Sequence, residues 1–149
     1  LQNPDDYPAP GNEELLRLNR PVPRTEVALA LRNHASSCLD ISDGLMADLG
    51  HITRASGVGA DLIINQIPYA QSLRQLEQEQ ALMLALTGGD DYELCFTLPT
   101  DIDDSLINEL KKICPVHELG VITDGSSISL KNEDGETVPF DLQAYRHFD

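Results

Sequence analysis

Leu39-Asp40-Ile41-Ser42-Asp43-Gly44-Leu45 sets three oxygen-bearing side chains between a strand pattern and a helix pattern, and the rest of the chain reads as support for it. Cys38 to Ile41 has the character of a strand end. From Leu45 onward Leu45, Leu49 and Ile52, with Met46 beside them, fall at helical spacing. Ser42 is therefore expected to cap the helix. Asp40 and Ser42 share one side of the extended segment, and Asp43 falls in the first helical turn, near the positive end of the helix dipole. Two carboxylates and a hydroxyl then converge beside backbone N–H groups that lack an intrahelical partner. Such a spot suits Mg²⁺ bridging phosphate oxygens, because Mg²⁺ takes one or two protein carboxylates and fills its shell with water and phosphate. A plainer reading stays open at this point, in which Asp43 complements the dipole and Ser42 only caps.

A chain of 149 residues, 41% of them apolar, is one domain able to bury a core. Its 25 acidic and 10 basic residues give a formal charge of −15, which argues against nucleic acid or an anionic membrane as partner. A phosphorylated ligand would need metal ions or a basic partner surface. Cys38, Cys95 and Cys114 are far apart and belong to no Cys/His cluster, so neither a disulfide framework nor a zinc site is indicated, and a reducing cytoplasm fits. No apolar run is long enough to span a bilayer and no signal peptide is evident.

Residues 1–11, with Pro4, Pro8, Pro10 and Gly11, read as a linker from an upstream domain, and residues 12–149 as the folded domain. Asn12 to Leu18 is a short helix, stopped by Arg20-Pro21-Val22-Pro23-Arg24, and Thr25 is expected to cap a second helix to about Asn33. Arg20 and Arg24 suit carboxylate pairing in so acidic a chain. Beyond the opening helix, which Gly57 and Gly59 end, Ala60 to Asn65 reads as a buried strand. Ala70 to Leu76 and Glu77 to Leu86 read as helical pieces. Tyr92 to Leu98 alternates, with Tyr92, Leu94, Phe96 and Leu98 on one face. Thr100 to Asp103 resembles a capping box before a helix that is apolar at Ile102, Leu106, Ile107, Leu110 and Ile113. Val116 to Thr123, Ser126 to Lys131 and Thr137 to Leu142 read as strands joined by Asp124-Gly125 and Glu133-Asp134-Gly135 turns. The fold class expected is α+β, helices packed on a mixed β-sheet.

A second acidic cluster, Gly88-Gly89-Asp90-Asp91-Tyr92-Glu93-Leu94, pairs glycines that admit close backbone approach with two carboxylates just before a strand. Taken alone it also reads as a helix end followed by a solvated turn. Together with Asp40-Ile41-Ser42-Asp43-Gly44-Leu45, and behind Arg20-Pro21-Val22-Pro23-Arg24, it resembles the C-terminal domain of the thiamine-monophosphate kinase family, of the aminoimidazole ribonucleotide synthetase-like superfamily. The resemblance runs from about Arg20 to the end, where Tyr145-Arg146-His147-Phe148 is also similar to that family.

The resemblance implies an ATP-dependent kinase that phosphorylates thiamine monophosphate to thiamine diphosphate by in-line transfer, with Mg²⁺ and ATP. It implies Asp40 and Asp43 as metal ligands, Ser42 at ATP, and Asp90 and Tyr145 at the thiamine portion. The Asp90 position carries Glu in many members, so the carboxylate here is shorter by one methylene. Arg20, Arg24 and Glu93 match family patterns too and are assigned to structure. No general base is required, because the attacking phosphate oxygen is already ionised near neutral pH. The family also implies an N-terminal domain with most nucleotide contacts, a homodimer, and inactivity of the C-terminal half alone. The rival readings are another enzyme of the superfamily, such as the purine-pathway cyclo-ligase, and a non-catalytic acidic metal-binding module. Against the second, no stretch has the spaced acidic ligands and closing Glu of an EF-hand loop.

Overall fold

The computed structural model describes residues 9–140. Helix α1 (Asn12–Asn19) starts after Gly11, whose N–H donates to Glu14 Oε2 at 2.6 Å, and the other Glu14 oxygen accepts the Ser72 hydroxyl at 2.7 Å. That one carboxylate ties α1 to the middle of the chain. After the Pro21 and Pro23 stop comes α2 (Thr25–Leu31), with Arg24 rather than Thr25 at its cap position and no side-chain cap. Then follow β1 (Ser37–Asp40), α3 (Leu45–Ser56), β2 (Gly59–Ile63), α4 (Gln78–Thr87), β3 (Leu94–Thr97), α5 (Asp104–Ile113), β4 (Gly120–Thr123), β5 (Ile128–Lys131) and β6 (Thr137–Val138). The class is α+β, as the periodicities predict. The strands, however, divide into two sheets: an antiparallel β1–β3 ribbon and a mixed sheet in the order β4-β2-β5-β6.

Two apolar cores account for this arrangement. Leu45, Leu49 and Ile52 of α3 pack with Leu82 and Leu86 of α4 over Ala60, Leu62 and Leu130 of the mixed sheet. Val27 and Leu31 of α2 pack with Leu106 and Leu110 of α5. The ribbon lies between them, and its register decides which residues face which core. Leu39 sits opposite Cys95 and both pack on the first core; Phe96, opposite Cys38, and Leu94, opposite Asp40, pack on the second. Each buried Leu or Val contributes roughly 1.5–3 kcal/mol relative to exposure.

Three local expectations are corrected. β4 and β5 do not form a hairpin, because the buried strand β2 lies between them, antiparallel to β4 and parallel to β5. A strand whose Ala60 and Leu62 are buried needs both edges paired, and the Asp124-Gly125 turn instead crosses its end, where Ala60 N–H donates to the Ser127 carbonyl at 3.1 Å. The reversal that does form is β5–β6, closed by Asn132 and Glu136. The cap of α5 is Asp103 itself, which accepts the Ser105 N–H at 2.7 Å, while Thr100 belongs to the preceding turn. Tyr92 leaves the β3 alternation: at φ 51° it is turned out of the strand and exposed.

Candidate functional site

Gly44 is where the opening motif departs from its predicted geometry. At φ 103° it turns the chain between Asp43 and α3, so Ser42 and Asp43 stand outside the helix and Ser42 does not cap it. Their N–H groups are not open to an anion either: Ser42 N–H donates to Asp48 Oδ2 at 2.8 Å and Asp43 N–H to the same oxygen at 3.0 Å. What this loop presents is therefore anionic. Asp40, Ser42 and Asp43 are all exposed, and two exposed carboxylates and a hydroxyl suit a cation rather than a bare phosphate.

The second acidic cluster interlocks with this loop through the backbone. Ile41 N–H donates to the Glu93 carbonyl at 2.8 Å, Tyr92 N–H to the Ile41 carbonyl at 2.8 Å, and Asp90 N–H to the Ser42 carbonyl at 2.9 Å. A Cβ on Gly89 would lie 2.5 Å from the Ser42 carbonyl oxygen, and one on Gly44 would lie 2.8 Å from that of Thr87. Only glycine permits the approach at either place. The turn also holds Asp90 at φ 65°, and Tyr92 Oη donates to Asp90 Oδ1 at 2.9 Å.

Glu93 is held by Arg24, whose Nε donates to Oε2 at 2.7 Å while a second guanidinium nitrogen bonds Oε1; Arg17 lies 3.7 Å from Oε1. The Arg24 hydrogen bonds hold the Glu93 carboxyl below its ordinary value against the effect of burial. Arg24 is thus a structural partner, as the acidic composition predicts, whereas Arg20 makes no ion pair among the described residues. Asp91 shifts the other way: burial, then Glu93, push it up, Arg17 opposes them, and Asp90 adds to the rise.

Beside the interlocked loops lies a cleft of about 540 Å³, bounded by Glu14, Arg17 and Arg24 on one side, by Pro68 and Tyr69 on another, and by Gly89, Asp90, Asp91 and Glu93. Ile41, Leu45 and Val27 contribute its apolar lining. Asp40, Ser42 and Asp43 do not line it. Asp90 thus lines the cleft, with Ile41 and Leu45 of the opening motif, while Asp40, Ser42 and Asp43 stand outside it. Arg17 and Arg24 both meet Glu93, and Arg17 also acts on Asp91. Tyr145 lies outside the described residues.

As a cation site the loop offers Asp40 and Asp43, and among the described residues no group of three or more His, Cys, Asp or Glu could hold a metal. A two-carboxylate donor set misfits zinc or a protein-built calcium cage and fits Mg²⁺, which retains water and takes phosphate oxygens. Asp48 and Tyr69 join the site only through the fold. Asp48 had a signal, being a carboxylate within the apolar stripe Leu45, Leu49, Ile52, where a charge needs a partner. Tyr69, just after Pro68 in an irregular segment, had none.

The model of the family described as AIR synthase related protein, C-terminal domain, matches residues 5–132. The thiamine-monophosphate kinase of Escherichia coli (strain K12) is 43% identical over 131 residues, covering 87% of this chain and 40% of that protein. Among solved structures, thiamine-monophosphate kinase from Stenotrophomonas maltophilia K279a superposes with a TM-score of 0.74 at 41% identity, over 85% of this chain and 40% of that one. AaThiL complexed with AMPPCP and TMP superposes with a TM-score of 0.65 at 26% identity, over 90% and 42%. The chain spans about 40% of the length of the curated E. coli relative.

Proposed function

The chain belongs to the AIR synthase related protein family, C-terminal domain, and on that premise we propose that it forms the C-terminal half of a cytoplasmic thiamine-monophosphate kinase that makes thiamine diphosphate from ATP and thiamine monophosphate. The observation that carries this reading is the Asp90 N–H to Ser42 carbonyl bond of 2.9 Å, which fastens a cation-binding loop to an acidic, partly apolar cleft. A kinase acting on a cationic heterocycle with a phosphate tail needs those two features side by side. The solved relative bound to AMPPCP and TMP supports the same pairing of ligands.

In this reading Asp40 and Asp43 hold Mg²⁺, Ser42 contacts ATP, and Asp90 together with Tyr145 receives the thiamine portion. When bound, Mg²⁺ neutralises the crowded phosphate oxygens of donor and acceptor. The chain supplies the rest of its share by position. The interlocked loops hold Asp40, Ser42 and Asp43 on one rigid face, and the apolar lining of the cleft shields the organic end of the acceptor from water. No side chain removes a proton, because the acceptor phosphate is already ionised. The upstream part of the polypeptide supplies the remaining nucleotide contacts and the homodimer contacts.

Product analysis of the full-length protein with ATP and Mg²⁺ tests the proposal. It predicts thiamine diphosphate from thiamine monophosphate and no turnover of a formylglycinamidine ribonucleotide, the acceptor class of the cyclo-ligase branch. Turnover of that ribonucleotide with none of thiamine monophosphate would contradict it.

A further inference from the structure

Asp48 is only 5% exposed, and among the described residues no lysine or arginine pairs with it. Burying an unpaired carboxylate on an apolar helix stripe is unfavourable, and a leucine there would continue the stripe of Leu45, Leu49 and Ile52. Its place in the fold is explained by what it accepts. Helical side chains lean toward the N-terminus, so Asp48 reaches back past Gly44, and one oxygen, Oδ2, takes the N–H groups of both Ser42 and Asp43. With the bonds to Glu93, Tyr92 and Asp90, every backbone donor and acceptor from Ile41 N to Asp43 N then has a partner. The peptide planes that carry Ser42 and Asp43 are fixed from both sides, while the side chains of Asp40, Ser42 and Asp43 stay exposed.

We infer that Asp48 is a positioning residue for the divalent cation: it touches no ligand, and it sets the orientation in which Asp40, Ser42 and Asp43 meet the metal and its nucleotide. The inference rests on the reading of Asp40 and Asp43 as cation ligands. It assigns the role to the place of the acceptor oxygen rather than to the negative charge. Asp48→Asn keeps a carbonyl oxygen at the same reach and removes the charge. Asp48→Glu keeps the charge and moves the acceptor by one methylene.

The test is Mn²⁺ binding to the full-length protein with a non-hydrolysable ATP analogue, followed by electron paramagnetic resonance, with a thermal melt of each variant. Asp48→Asn is expected to bind Mn²⁺ within about threefold of wild type. Asp48→Glu is expected to bind about tenfold more weakly, as when a group that orients a ligand is displaced, and still to melt cooperatively. A lowered melting temperature with unchanged Mn²⁺ affinity in Asp48→Glu makes the residue merely structural and overturns the inference. So does the reverse order, weak binding in Asp48→Asn and normal binding in Asp48→Glu, which assigns the effect to charge. Asp43→Asn separates the two levels of the argument. If it weakens Mn²⁺ binding while Asp48→Glu does not, only the positioning role fails; if it binds as wild type, the cation reading fails and takes the inference with it.

Discussion

Glu93 and Asp91, two residues apart on the same loop, respond to pH with opposite sign. Glu93 is held below its ordinary value of 4.5 by the Arg24 hydrogen bonds, so its contribution to stability is present above that value and is lost as pH falls through its folded value. Asp91 is raised from 3.8 by burial, so it favours the folded state at low pH, an advantage lost as pH rises through its folded value. Its charge therefore counts against the fold at neutral pH. Thermal melts between pH 7 and pH 3 should show Glu93→Gln destabilised at pH 7, with its difference from wild type shrinking as pH falls through the folded value of Glu93. The pH 7 effect should be at most about 1 kcal/mol, because the pair is partly solvated. Asp91→Asn should be stabilised at pH 7 and unchanged at pH 3. The same sign for both variants at pH 7 would contradict the assignment of Arg24 to Glu93. Cys95, pushed up to about 11 chiefly by burial, is no candidate nucleophile at neutral pH.

At the scale of elements, α3 and the ribbon matter most, because they place the two acidic loops. Gly44→Ala meets the Thr87 carbonyl at 2.8 Å and must also adopt φ 103°, so it should cost about 1–3 kcal/mol and disturb the interlock as well as α3. Urea unfolding measures the first effect, and the metal requirement of the full-length protein reads the second. A variant as stable as wild type would show that the loops tolerate separation. The helices were legible in the sequence because their apolar residues recur at helical spacing, as Leu45, Leu49 and Ile52 do, and β3 because it alternates. What was hidden depends on partners distant in sequence. Nothing near Val121 or Ile128 says that β2, some sixty residues earlier, separates β4 from β5. Nor does Ser42, a good cap by type, reveal that Gly44 displaces it and that Asp48 takes its N–H. The two acidic motifs themselves were legible; that one is stitched to the other by three backbone bonds was not.

The whole molecule carries a formal charge of −15 and two separate cores, each closed by residues within the described chain. Those cores predict that the 149-residue chain unfolds cooperatively by itself. The charge, with only the two carboxylates Asp40 and Asp43 in the proposed donor set, predicts that it binds nucleotide weakly, only with Mg²⁺, and forms no thiamine diphosphate. Calorimetry and a coupled product assay on the isolated chain check both halves of that statement, and thiamine diphosphate formed at the rate of the full-length protein would contradict the second. Among the described residues no helix is long and apolar enough to cross a membrane. The proposed role of Asp40 and Asp43 is to serve phosphoryl transfer through a divalent cation. Its most direct test is the Mg²⁺ dependence of thiamine diphosphate formation by the full-length protein, compared with Asp40→Asn and Asp43→Asn. Each variant is expected to fold but to need at least about tenfold more Mg²⁺, or to lose turnover outright; wild-type turnover by either variant at low Mg²⁺ would rule that role out.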